Sequence, residues 1–238
     1  MKNFRQDLQK FEQFLKDGKH FTFSKYADGE WRILDGDHID LTRKANGEFK
    51  YQPDNIEDEL RRAELLKSFQ YIHSDYYVGI GCYCCMGNTF YSMKDLSKQP
   101  VENLTWANLF VNGNYKYYRS TLVPLFNDYK IIMVCNHKAK LDKLPFKVEK
   151  DFRVGTNAWL DNKDLVKEII EYSKDLENYL FLFCAGPFGN ILAHRLHEAN
   201  PNNTYLDAGS TFDVELFGGG TRGYLIGADT LKKKCIWK

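Results

Sequence analysis

Short apolar runs that stop at a glycine or a carboxylate, each followed by a helical stretch, recur along this chain and leave few folds open to it. The clearest is Tyr179-Leu180-Phe181-Leu182-Phe183-Cys184-Ala185, which meets the turn Gly186-Pro187-Phe188-Gly189 and passes into a helical pattern over Phe188–Ala199. A strand that is apolar on both faces belongs inside a covered sheet, and a helix directly after it returns the chain for a parallel neighbour. Similar strands are predicted at His20–Tyr26, Tyr76–Gly81, Lys130–Cys135, Lys147–Val154 and Thr204–Asp207. Helices are predicted between them. The first rests on Phe4, Leu8, Phe11 and Leu15 and closes at Gly18; a second runs over Ile56–Ile72 through Ile56, Leu60, Ala63, Leu66 and Phe69. Another covers Lys163–Leu176 with Asn162 as its cap, and a helical region spans Asn103–Phe126 with a break near Asn112-Gly113-Asn114. Asp35–Asp54 reads as a loop or small hairpin, and Cys82–Asn103 as irregular. The expected fold is α/β, a mainly parallel sheet with helices on both faces, in a single domain over 1–238.

Composition sets outer bounds. A formal net charge of +1 offers no basic excess for a dedicated nucleic-acid binder. The N-terminal stretch alternates charged and apolar residues without a signal core, and no apolar run is long enough to span a bilayer. The six cysteines lie mostly in or beside predicted strands and read as reduced thiols. Cys82-x-Cys84-Cys85 lacks a second ligand pair at zinc spacing and reads as a buried thiol cluster. These features set the expectation of a cytoplasmic protein, or of one working in a host cytoplasm if the source is viral.

In a parallel α/β sheet, ligands bind outside the carboxyl ends of the strands. Five strand ends would share that edge: the acidic turn after Tyr26, Gly79-Ile80-Gly81, the segment after Cys135, the Gly-Pro-x-Gly turn and Asp207-Ala208-Gly209. Asp28 and Glu30 flank Gly29 at the first of these. Two carboxylates so close can share a hard divalent cation such as Mg²⁺ or Mn²⁺, which also takes oxygens from a substrate phosphate. The other reading is a helix start, with Asp28 as N-cap and Glu30 at the positive end of the dipole. Lys25 and Arg32 bracket the pair and suit a diphosphate, or a surface salt bridge. Gly186, Pro187 and Gly189 form a turn whose backbone N–H groups can face an anion; a ligand-free tight turn is the alternative. Asp207, Asp213 and Glu215 are candidates for a general base. His194 and His197, three apart on a helix, can be a metal pair, with a half-exposed helix face as the default reading. Trp106-Ala107-Asn108 and Tyr115–Tyr118 could stack on a base or sugar, although core packing suits these aromatics better. No nucleophile elbow and no dinucleotide fingerprint is visible.

Three of these segments together resemble a known family. Ser24-Lys25-Tyr26-Ala27-Asp28-Gly29-Glu30 is similar to the Ser-Arg-Tyr-Gly-Asp-Gly-Glu motif of the GT-D type glycosyltransferases, formerly a domain of unknown function in bacterial glycosylation loci. Ala185–Ala193 resembles their Gly-Pro-x-Gly-x-x-Leu-Ala block, and Leu206-Asp207-Ala208-Gly209 the Asp-x-Gly that follows it. The resemblance implies a Rossmann-like domain, a nucleotide-sugar donor such as UDP-glucose, and Mn²⁺ or Mg²⁺ held by Asp28 and Glu30. It places Lys25, Tyr26, Gly186, Pro187 and Gly189 at the donor. Lys25 stands where the family has arginine, Ala27 where it has glycine, and Ser210 where a histidine often stands.

The expected function is a metal-dependent glycosyltransferase moving a sugar from a nucleoside diphosphate to a hydroxyl acceptor, a glycan, glycoprotein, lipid-linked sugar or modified base. Asp207 or Asp213 would act as base, and residues 218–238, flexible by composition, would form a tail or lid that brings Arg222 to the donor. A nucleotide hydrolase or phosphotransferase, and a non-catalytic nucleotide- or nucleic-acid-binding module, are the rival readings.

Overall fold

The computed structural model describes residues 3–43 and 48–227. Helix α1 (Phe4–Lys16) opens at Asn3, whose side chain accepts the Gln6 N–H at 2.8 Å. It leads to β1 (Thr22–Lys25) and α2 (Asp28–Leu34), then a two-stranded antiparallel hairpin of β2 (Ile39–Asp40) and β3 (Lys50–Tyr51). Next come α3 (Ile56–Gln70), β4 (Tyr76–Ile80), α4 (Tyr83–Met86), α5 (Thr89–Ser97) and β5 (Leu104–Trp106). Tight helical turns from 112 to 128, including α6 (Tyr115–Tyr117), precede β6 (Lys130–Asn136) and β7 (Val148–Val154). The chain closes through α7 (Ala158–Asp161), α8 (Leu165–Ser173), β8 (Tyr179–Cys184), α9 (Pro187–Ala199), β9 (Thr204–Asp207) and α10 (Asp213–Phe217).

Seven strands form one sheet in the order β5-β4-β1-β9-β8-β6-β7, and every pairing in it is parallel. Side chains alternate between two apolar layers. Ile131, Met133, Leu180 and Leu182 pack with Phe4, Leu8 and Phe11 of α1 on one face, while Ile132, Val134, Phe181 and Phe183 pack with Leu192 and Leu196 of α9 on the other. The expected α/β architecture, parallel and covered on both faces, is what the chain adopts. Among the described residues no helix is long and apolar enough to cross a membrane.

Several local expectations are corrected. Leu104–Trp106 is an edge strand and not the start of a helix, because the Asn103 side chain donates to the Tyr76 carbonyl at 2.7 Å and its own carbonyl accepts from Val78 N at 2.9 Å. Cys82–Asn103 is largely helical. On α3 the buried stripe holds Asp58, Arg61, Leu65, Ser68 and Phe69, whereas Ile56 and Leu60 are exposed. Polar bonds turn the helix this way: Trp159 Nε1 donates to Asp58 at 3.2 Å, and Ser68 Oγ meets His194 Nδ1 at 3.1 Å. Asn162 does not cap α8; its side chain accepts from Gly155 N at 2.9 Å, and Asp164 stands at the helix start. His194 and His197 are buried and not half-exposed. His197 bonds the Tyr71 hydroxyl at 3.2 Å, and burial, helped by His73, lowers its pKa to about 4, so it serves as a neutral pin between α9 and the end of α3.

Candidate functional site

The carboxyl ends of β1, β5, β6, β7, β8 and β9 open on one cavity of about 620 Å³, lined among others by Lys25, Asn108, Asn136, Val154, Cys184 and Gly209. The Gly79-Ile80-Gly81 end of β4 shares the edge but does not line the cavity.

The acidic turn enters as the first turn of α2. Its N-cap is Ala27, which has no side-chain acceptor, so Glu30 occupies the third helical position and its Oε2 accepts the Ala27 N–H at 2.9 Å. Half a capping box is thus built with the frame one residue earlier than an Asp28 cap would give. Glu30 is buried and anchored, Asp28 is exposed, and both face the cavity. Among the described residues Asp28 and Glu30 belong to no group of three His, Cys, Asp or Glu side chains gathered within metal-ligand range. Two carboxylates on one cavity wall are the donor type that suits a hard cation, whose remaining ligands would be water and substrate oxygens.

Lys25, at the end of β1, crosses towards β9, with its Nζ 3.9 Å from Asp207 Oδ1. Burial works against its charge, but Asp207 and Glu30 outweigh that cost, and its pKa is raised. Gly209 makes the crossing possible. It sits at φ +53°, and a Cβ there would lie 2.5 Å from Lys25 Cε and 2.7 Å from Nζ. Asp207 Oδ1 also accepts the Gly209 N–H at 3.0 Å. Burial pushes the Asp207 carboxyl up to about 7 despite the pull of Lys25. Asp207 does not line the cavity; it lies beneath the floor and holds Lys25 in place.

Asp213, at the start of α10, does line the cavity. Thr221 donates to its carboxylate, yet burial dominates and raises it to about 6. Glu215 is instead paired with Arg119 and does not reach the cavity. The segment 218–227 lies folded along the cavity, held by Thr221 on Asp213, by Arg222 on Glu48 at 3.1 Å and by the Tyr224 hydroxyl on Ser210 at 2.9 Å. Residues 228–238 of the expected tail lie outside the described residues.

In the Gly-Pro-x-Gly turn, Ala185 and Gly186 line the cavity, and Gly186 takes φ +56° as the N-cap of α9. Pro187 and Gly189 are buried behind it. Gly189 allows α9 to approach β8, since a Cβ there would lie 3.2 Å from Phe183 Cβ. Tyr26 is likewise removed from any donor: its ring is fully buried against Phe69, at 4.4 Å between centroids. Of the aromatic candidates, Trp106 stacks on Phe4 and Tyr118 on Phe110, both in the core, while Ala107 and Asn108 reach the cavity.

Three contributors have no distinct sequence signal as site residues. Phe49, from the loop before β3, packs between the two turns: a Cβ on Gly29 would be 3.0 Å from its ring and one on Gly186 3.3 Å. Glu48 beside it fixes Arg222. Asn190 is fully buried on α9 and donates to Ser24 Oγ at 3.0 Å and to the Lys25 carbonyl at 2.8 Å, clamping the second motif to the first.

No family model and no curated protein matches the chain. Solved structures do. One described as "a new glycosyltransferase (DUF1792) from Streptococcus sanguinis" superposes with a TM-score of 0.59 at 13% identity, over 87% of this chain and 82% of that one. A second, described by the statement that "the highly conserved domain of unknown function 1792 has a distinct glycosyltransferase fold", gives 0.56 at 13% identity over 87% and 79%. The chain therefore shares the fold of these structures, which one of them describes as a distinct glycosyltransferase fold.

Proposed function

We propose that this protein is a metal-dependent glycosyltransferase that moves a sugar from a nucleoside-diphosphate sugar, a UDP-sugar such as UDP-glucose, to a hydroxyl acceptor. The supporting observation is that the Asp28–Glu30 turn and the Gly186 turn, far apart in sequence, line one cavity together with Lys25 and Arg222. Asp28 and Glu30 are the residues to hold Mn²⁺ or Mg²⁺, which when bound neutralises charge on the departing diphosphate. Lys25 brings a fixed ammonium to the same leaving group, and Asp207 keeps that ammonium charged and in place. At the N-terminus of α9 the backbone donor on the cavity wall is the Gly186 N–H, since Pro187 has none and the Gly189 N–H already donates to the Gly186 carbonyl at 2.8 Å.

In the transfer, the acceptor oxygen bonds to the anomeric carbon as the bond from that carbon to the diphosphate oxygen breaks, and the acceptor proton must leave. Asp213 lines the cavity where Asp207 does not, and is the residue to take that proton in an inverting reaction. The test is a thermal-shift panel of nucleoside diphosphates and nucleotide sugars, each with Mn²⁺ and with chelator. A ligand at a hundred times its dissociation constant adds about 2.7 kcal/mol. A metal-dependent shift from one nucleotide sugar identifies the donor; no shift from any of them refutes the assignment.

A further inference from the structure

The sequence reading of Cys82-x-Cys84-Cys85 as a buried thiol cluster holds for one residue only. Cys82 is buried, whereas Cys84 and Cys85 are exposed. The turn from β4 into α4 brings the three sulfurs within 4.8 Å of one another, with Cys82 and Cys84 at 2.9 Å. Among the described residues it is the only set of three His, Cys, Asp or Glu side chains gathered so closely.

We propose that Cys82, Cys84 and Cys85 form a binding site for one thiophilic d¹⁰ cation, Zn²⁺ or Cu⁺. Zinc–sulfur bonds of about 2.3 Å in tetrahedral geometry set sulfurs roughly 3.8 Å apart, so closing the site needs shifts of no more than roughly 1 Å. Exposed Cys84 and Cys85 give the ion a way in, and buried Cys82 gives the site a fixed point at the sheet edge. Three thiolates satisfy three positions of a tetrahedron, the fourth being open to one further donor. Soft sulfur ligands also separate this site from the oxygen ligands of Asp28 and Glu30, which suit hard ions.

Two neighbours support the site. Gly81 admits the side chain of Met86 over the turn, since a Cβ there would lie 2.2 Å from Met86 Cγ and 3.3 Å from its sulfur. The Asn108 amide nitrogen lies 3.9 Å from Cys85 Sγ, and Asn108 lines the large cavity. An ion on the three sulfurs would sit one side chain, Asn108, away from the cavity wall after β5.

The experiment is a Co²⁺ titration of metal-free full-length protein in a phosphine reductant, followed by competition with Zn²⁺. The expected result is a sulfur-to-cobalt charge-transfer band in the near ultraviolet that saturates at one equivalent and is displaced by Zn²⁺. Cobalt on Asp28 and Glu30 gives no such band, so this readout is independent of the glycosyltransferase assignment. Cys84→Ser and Cys85→Ser each alter an exposed side chain; each should weaken Zn²⁺ binding at least tenfold and reduce the band, and the double variant should abolish it. Absence of the band in the wild type, or an unchanged band in the double variant, overturns the proposal.

Discussion

Adding one methyl group at Gly209 tests how Lys25 is held. The residue lies at φ +53°, where a side chain costs about 1–2 kcal/mol of backbone strain. The new Cβ would also lie 2.7 Å from Lys25 Nζ, so the ammonium must withdraw by roughly 1 Å, from 3.9 Å to about 5 Å from Asp207. With an effective dielectric constant of about 20, that retreat lowers the attraction from about 4 to about 3 kcal/mol. Gly209→Ala should therefore cost about 2–3 kcal/mol at pH 8. Gly218 supplies the control: it too has positive φ, +75°, but nothing lies within 4 Å of where its Cβ would be. Gly218→Ala should show the backbone cost alone, about 1–2 kcal/mol. Urea unfolding of both variants at pH 8 and pH 5 reads the difference. Asp207, raised to about 7, is protonated at the lower pH, so the two costs should converge there. Equal costs at pH 8, or a gap that ignores pH, would refute the account of Lys25 as an ammonium held by Asp207.

Asp28→Asn should abolish cation-dependent donor binding in calorimetry while leaving the unfolding free energy in urea within about 0.5 kcal/mol, because the side chain is exposed. Asn190→Ala should cost about 2–4 kcal/mol in thermal unfolding, since it strands the buried Ser24 hydroxyl and the Lys25 carbonyl. With Asp213 raised to about 6, transfer rate should climb through pH 6 and level off above it, and Asp213→Asn should remove that rise. Both Asp207 and Asp213 have folded pKa values above the unfolded value of about 3.9, so the folded state binds the extra protons. Stability should thus fall as pH rises from about 4 to about 7, and Asp207→Asn should flatten the upper part of that slope.

Much of the fold was legible in the sequence because β6 and β8 are apolar on both faces and announce a covered parallel sheet. Shorter or more polar elements were not. Leu104–Trp106 is too brief to show a period, and its strand state comes from β4 and Asn103. The buried face of α3 is written in Asp58, Arg61 and Ser68, whose partners Trp159 and His194 lie elsewhere in the chain, so a hydrophobic pattern points to the wrong side. At the site, strand ends marked the residues around the cavity, but local motifs could not tell lining from support. Tyr26, Pro187 and Gly189 belong to the same motifs as Asp28 and Gly186, and Asp207 to the same motif as Gly209, yet all four lie behind the wall. Phe49 and Glu48 sit in a polar loop, and their place follows only from the hairpin folding over the edge.

Strand β9 lies between β1 and β8, although it is the last strand among the described residues. During synthesis the earlier strands can therefore assemble only as two separate sheets, β5-β4-β1 and β8-β6-β7, each with an unpaired inner edge. Residues 204–207 zip the halves together, and the same stroke brings Asp207 to Lys25. A ribosome-bound or truncated chain lacking that strand would carry both edges bare and no working cavity, the kind of intermediate that chaperones capture and that aggregates when they fail.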